Sequence, residues 1–393
     1  MENAPTPPAA SAAQSANADG LAALRAGDFA RAAACFETAT AADPHAGSLW
    51  RNLAHARREL GDDAGERAAL GSALGVDQRD LPALIRLAQN EERCGMTRDA
   101  MLHWGAVLQL GAAVPNPSPD FTAILRHAEA YSTSQRDRLA QTLDAGLGAQ
   151  LSGLGGTDAR RTRAFLDSAL GLRRTYQNDC AGLYYPFLPP DEFFDAHHFP
   201  WFDDLRRAAP AIRAELQALI ADPGDAMRPY VRMGEGVPDS KWSVLDNKLD
   251  WGACFLWEYG RPNQPVLDRC PATAAALAAV PSAVIPGRAP SAFFSILQPH
   301  THIPPHTGVS NTRAIIHLPL IVPEKCGFRV GGETRQWVEG EAFAFDDTIN
   351  HEAWNDSDEV RGILIFDVWN PHLSVAEQEI IARYFDIADN LGA

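Results

Sequence analysis

Two histidines, His306 and His351, stand 45 residues apart in a chain of 393, each at the edge of a β-rich segment beside a turn. Ten residues after the second, Arg361 opens the hydrophobic run RGILIFDVWN. Imidazole is a good ligand for transition-metal ions, and a metal site that must admit a co-substrate keeps coordination positions open. Two imidazoles on neighbouring strands of one small barrel can share an ion. An arginine on the far wall can then hold the carboxylate of an organic co-substrate through two parallel hydrogen bonds. Arg313, Ile315 and His317 alternate along TRAIIHLPLIV and so share one strand face. His300 and His302 crowd towards His306, and Asp346, Asp347 and Glu352 flank His351. The two histidines read as loop or supporting groups, and at least two of the three carboxylates as solvated. Trp337, Trp354 and Trp369 read as core or pocket wall.

The elements that must position these residues are mostly strands. After Pro229, WSVLDNKL, ACFLWEYG, SAFFSILQ, TRAIIHLPLIV, FRVGG, ETRQWV, EAFAFDD and RGILIFDVWN are separated by Gly, Pro and Asn turns with no alternating helices. That pattern predicts an antiparallel sandwich or barrel. An amphipathic helix, APAIRAELQALIAD, precedes it and CPATAAALAAVP inserts another. A last helix opens at Ser374 with Glu377 three residues on, a capping box.

Upstream the chain repeats. Gly27, Gly61 and Gly95 are each 34 residues apart, and a helix should end at each glycine with a second beginning just after it. Ala32, Phe36, Ala39 and Pro44, then Trp50, Leu53, Leu70 and Ala73, then Leu84, Leu87, Ala100 and Trp104 fall at the packing positions of a tetratricopeptide repeat. The period and these residues together resemble a three-unit array over 18–112. Glu66 and Gln78 depart from the pattern, where Ala and Pro are usual. Composition predicts a disordered tail over 1–17, a helical linker or cap over 113–178 with a break at SGLGGTD, and the β-rich domain over 179–393.

A net charge of −16 disfavours nucleic acid and anionic membranes as partners. Six dispersed cysteines without a CxxC pair suit a reducing compartment. With no secretion signal and no apolar run near the roughly 20 residues of a membrane span, the expected location is cytoplasmic.

The segments FFSILQPHTHIPPH, HTHIPPHTGVSNTRAIIHLPL and FDDTINHEAWNDSDEVRGILIFDVWNP resemble the aspartyl/asparaginyl β-hydroxylase family, over about 180–375. The resemblance implies a double-stranded β-helix (jelly-roll, cupin-like) that uses iron(II), 2-oxoglutarate and O2. It implies His306 and His351 as metal ligands, with water where other facial triads place a carboxylate; here that position is Gly308. Arg361 would pair with the distal carboxylate of 2-oxoglutarate. Ser295 would add a hydroxyl, unless it is a strand serine on a solvated face. His317 would approach the metal-proximal carboxylate. Ile315 stands where the family has an arginine, and Arg313, on the same face, is the candidate to replace that charge.

The implied activity is hydroxylation of an unactivated C–H, first of all the β-carbon of an Asp or Asn residue in a peptide or protein. Alternatives are hydroxylation of a small molecule or a lipid-linked acyl chain, and a metal-dependent isomerase or lyase that needs no oxygen. From another class comes a scaffold whose repeats bind a protein partner beside a degenerate barrel.

Overall fold

The structure, a computed structural model, describes residues 8–391 and divides into two units, one ending at Leu154 and the other beginning at Gly155.

The first unit is helical throughout. Its helices are α1 (Pro8–Arg25), α2 (Phe29–Ala42), α3 (Gly47–Glu59), α4 (Asp63–Val76), α5 (Leu81–Arg93), α6 (Thr97–Gly111) and α7 (Pro119–Ser152). Gly27, Gly61 and Gly95 adopt positive φ at 76°, 73° and 71°, so each ends the first helix of a pair as the spacing predicts. Asp28 and Asp62, next in the chain, cap α2 and α4 by accepting from the backbone N–H of Arg31 and Gly65. Phe36, Leu53, Leu70, Leu87 and Trp104 are buried between helices. A Cβ on Gly20 would lie 2.6 Å from the Phe36 ring, so α1 and α2 approach closely only because that side chain is missing. Glu66 is buried as well. Asn90 Nδ2 donates to it at 2.8 Å and Arg93 at 2.6 Å, which explains how the repeat tolerates an acid in place of alanine.

Two domain boundaries need correction. The expected tail is helical from Pro8 onward, with Ala13 buried; residues 1–7 lie outside the described residues. The second unit begins at 155 rather than 179. Its first helix, α8 (Gly156–Ala169), and the stretch after it are tied to the β-domain by Arg160, which donates to the Phe193 carbonyl at 3.0 Å, and by Arg173, which donates to the Gly332 carbonyl at 3.1 Å.

The rest of the unit runs α9 (Phe202–Ala221), β1 (Arg228–Pro229), β2 (Trp251–Glu258), β3 (Arg261–Pro262), α10 (Gln264–Leu267), α11 (Pro271–Ala278), β4 (Ala292–Leu297), β5 (Thr301–His306) and β6 (Arg313–Ile321). It continues with β7 (Cys326–Val330), β8 (Glu333–Arg335), β9 (Phe343–Phe345), β10 (His351–Asn355), β11 (Arg361–Trp369) and α12 (Val375–Leu391). One sheet has the order β1-β2-β4-β11-β6-β9, with β3 on β2; the other has β5-β10-β7-β8. All pairings are antiparallel. This is the double-stranded β-helix.

Alternation along the larger sheet sorts the side chains. Phe294, Ile296, Leu318, Leu364 and Phe366 pack against Ile212, Leu216 and Leu277 of α9 and α11. The opposite face of the same strands carries Ser295, Arg313, Ile315, His317 and Arg361 towards the cavity between the sheets. WSVLDNKL is turn rather than strand, another correction. Ser374 and Glu377 form the capping box of α12, with Ser374 N–H donating to the Glu377 carboxylate at 2.8 Å.

Candidate active site

His306 ends β5 and His351 begins β10, and the two are cross-strand partners with ring centroids 4.0 Å apart. The Nδ1 of His306 lies 2.8 Å from the Pro304 carbonyl, and the Nδ1 of His351 lies 2.9 Å from the Ile349 carbonyl. A carbonyl can only accept, so both imidazoles carry their proton on Nδ1 and present the Nε2 lone pair. Burial holds the His306 pKa down to about 4 and that of His351 well below the ordinary histidine range. Both rings are therefore neutral at pH 7, the form that binds metal.

Beyond them a cavity of about 510 Å³ opens between the sheets. Arg361 sits at its base, 1% exposed, and donates to Ser295 Oγ at 3.2 Å. Trp251 Nε1 donates to the same hydroxyl at 3.0 Å, and Ser295 is fully buried, which removes the solvated-face reading. No carboxylate among the described residues pairs with Arg361, and burial pushes its pKa down to about 9. Three buried nitrogens have no hydrogen-bond partner among the described residues: Arg361 Nε, His317 Nδ1 and Trp337 Nε1. The Arg361 guanidinium lies 4.5 Å from the centre of the Trp337 ring, and the His317 and Trp337 rings are 6.2 Å apart. A buried cation among unmet polar nitrogens is costly unless an anion completes it.

Arg313 enters the same cavity but forms an ion pair with the buried Asp367. Asp367 also accepts from Ser291 N–H at 2.9 Å. His300 and His302 lie outside the cavity, exposed and paired with Asp358 and Glu352. The expected solvation of the carboxylates around His351 fails: Asp346 is fully buried and held by Asn178 and Thr348, while Asp347 and Glu352 are part-buried.

Asp347 is a site residue that sequence reasoning missed. Its carboxylate fills the space beside Gly308, where a Cβ would meet Oδ2 at 2.1 Å, and burial raises its pKa to about 7. The glycine two residues after His306 was the available signal. Trp242 was missed too, because it was assigned to a strand; its ring centroid is 5.1 Å from that of His306, edge to face. Among the described residues no group of three or more His, Cys, Asp or Glu side chains is placed to hold a metal ion. The free Nε2 lone pairs of His306 and His351 could hold a metal cation, and the Arg361 guanidinium across the cavity an anion.

The profile of the family described as aspartyl/asparaginyl beta-hydroxylase matches residues 206–371. Through those residues the chain belongs to that family. The aspartyl/asparaginyl beta-hydroxylase of Mus musculus is 41% identical over 131 residues, covering 33% of this chain and 18% of the mouse protein. The Homo sapiens protein of the same name is 40% identical over 157 residues, 40% of this chain and 20% of its own length. The chain thus spans about a fifth of these relatives. The ornithine lipid ester-linked acyl 2-hydroxylase of Rhizobium tropici is 34% identical over 197 residues, 49% of this chain and 66% of the relative. Among solved structures, the first TPR of Spaghetti (RPAP3) bound to an HSP90 peptide covers 31% of the chain at 20% identity and a TM-score of 0.28. No helix among the described residues is long and apolar enough to cross a membrane.

Proposed function

We propose that the β-domain is an iron(II)- and 2-oxoglutarate-dependent dioxygenase that hydroxylates an unactivated C–H bond. One observation carries the reading. Two neutral imidazoles with free Nε2 atoms share a cavity with a buried guanidinium that has no carboxylate of its own. His306 and His351 would hold the metal; Arg361, with Ser295, would take the distal carboxylate of 2-oxoglutarate, and His317 the end nearer the metal. When bound, iron(II) and 2-oxoglutarate would activate O2, which is the oxidant, with 2-oxoglutarate giving up two electrons as it goes to succinate and CO2, chemistry that a protein side chain cannot supply.

The chain's own residues do the placing. Carbonyls of Pro304 and Ile349 fix both ring tautomers, and Trp251 orients the Ser295 hydroxyl that shares the carboxylate with Arg361. Trp242, Phe328 and Phe345 close apolar surface around the pair and limit water there. Two substrate classes follow from the relatives' names, an Asp or Asn residue of a polypeptide and an ester-linked acyl chain. The stacked helical repeats offer the kind of surface on which a protein partner docks.

The test is succinate release from 2-oxoglutarate with iron(II), oxygen and ascorbate. Wild type is expected to turn over slowly without substrate, and His306→Ala and Arg361→Gln to fall to background. Equal succinate from all three, or none from wild type, contradicts the reading; activity that ignores 2-oxoglutarate points to an isomerase or lyase.

A further inference from the structure

We propose that Trp337 is a positioning residue of the co-substrate site. Its indole face stands where a buried arginine would otherwise need a carboxylate, and so holds Arg361 in place with its N–H groups left for an anion. This rests on the dioxygenase reading and adds a residue to the anion-binding end of the site.

Trp337 follows β8 in a short loop. Its neighbours Gln336 and Val338 are exposed, whereas Trp337 is only 6% exposed, so the backbone turns this one side chain inward. Phe328 of β7 packs nearly parallel to the indole, with 5.7 Å between centroids and 21° between planes, which fixes the plane of the ring. The Arg361 guanidinium carbon lies 4.5 Å from the centre of that ring. An indole face attracts a cation at this distance, and most strongly where both are shielded from water, as they are here.

The other arginines show why the contact matters. Arg228 and Arg335 also lie over rings, those of Phe255 and Phe193, but each has a glutamate of its own, Glu258 and Glu333. Arg313 in the cavity wall has Asp367. Arg361 has no acid among the described residues; its polar contacts are the Ser295 carbonyl and hydroxyl, and its Nε has no partner. A carboxylate at the place of Trp337 would neutralise the guanidinium and compete for the N–H groups that grip a ligand. An aromatic face offsets part of the cost of burying the charge without presenting a carboxylate's lone pairs to those groups.

The experiment uses the full-length protein and two variants, Trp337→Phe, which keeps an aromatic face, and Trp337→Leu, which removes it. The probes are 2-oxoglutarate and 2-oxobutanoate, which has the same keto-acid end without the distal carboxylate. Anaerobic calorimetric titration with iron(II) present gives the affinity of each. Trp337→Leu should weaken 2-oxoglutarate about tenfold or more, and Trp337→Phe should recover most of that loss. 2-Oxobutanoate should bind all three proteins alike. An equal loss for both keto acids, or a Phe variant no better than Leu, makes Trp337 a packing residue and overturns the proposal. A second readout needs no ligand: urea midpoints of Trp337→Leu, Arg361→Gln and the double variant. The two shifts should not add, because the face acts on the cation; simple additivity overturns the proposal. A wild type that binds 2-oxoglutarate no better than 2-oxobutanoate sinks the dioxygenase reading, and the ligand-free cycle then decides by itself whether Trp337 holds Arg361.

Discussion

A single proton on Nδ1 decides what each of two imidazoles can do, and here a backbone carbonyl two residues back sets it. His306, His351 and Arg361 were legible in the sequence because each lies in a dense local motif. Asp347 was not, because its importance depends on the missing side chain of Gly308, which only folding brings beside it. Three predictions belong to this scale. Arg361 is buried without a carboxylate, so Arg361→Gln should melt no lower than wild type in the absence of 2-oxoglutarate. The same variant should lose the stabilisation that 2-oxoglutarate confers, with affinity down about 100-fold, as expected for charge-assisted hydrogen bonds worth ~1.5–3 kcal/mol each. Thermal melts with and without 2-oxoglutarate check both. Burial, then the Arg361 charge, holds His317 neutral, well below its ordinary value of 6.5. A depressed folded-state pKa gives stability that is present above 6.5 and lost as pH falls below it. The stability advantage of wild type over His317→Gln should therefore shrink by about 1.4 kcal/mol per pH unit below that point, read from urea midpoints at pH 7.5 and 5.5.

Strands β5 and β10 carry the imidazoles, yet neither was legible as a strand. Pro304 and Pro305 interrupt THIPPH, and an edge strand tolerates them because it needs fewer donors. HEAWN mixes polar and apolar residues because one of its faces lines the site. WSVLDNKL erred the other way: its strand-like residues turn back so that Trp242 reaches His306. The long hydrophobic strands β4, β6 and β11 were clear, since both their faces are covered. The close meeting of the loops after β5 and before β10 gives a test of this layer. Gly308→Ala must displace the Asp347 carboxylate and should cost ~1–3 kcal/mol, with weaker metal affinity. Adding Asp347→Ala should recover part of that stability. Simple additivity in the double-mutant cycle would show that the two positions do not meet.

The division of labour between a repeat array and a β-domain was readable from two periods, 34 residues upstream and alternation downstream. The boundary was misplaced because α8 looks like one more linker helix, while its ties to the β-domain depend on contacts distant in sequence. A fragment starting at 155 should therefore fold more stably than one starting at 179. The longer keeps the hydrogen bonds from Arg160 to Phe193 and from Arg173 to Gly332, together worth about 2 kcal/mol or more. Denaturant titration of the two fragments measures the difference. Every residue lining the cavity belongs to the second unit, so the longer fragment should also keep the site's affinities.

The most direct measurement is an anaerobic titration of iron(II) into the full-length protein with 2-oxoglutarate present, followed by visible charge-transfer absorption. A band that saturates at one iron per chain, is lost in His306→Ala and His351→Ala, and needs more 2-oxoglutarate in Arg361→Gln is the predicted result. No band in wild type, or an unchanged band without either imidazole, would contradict the shared iron site.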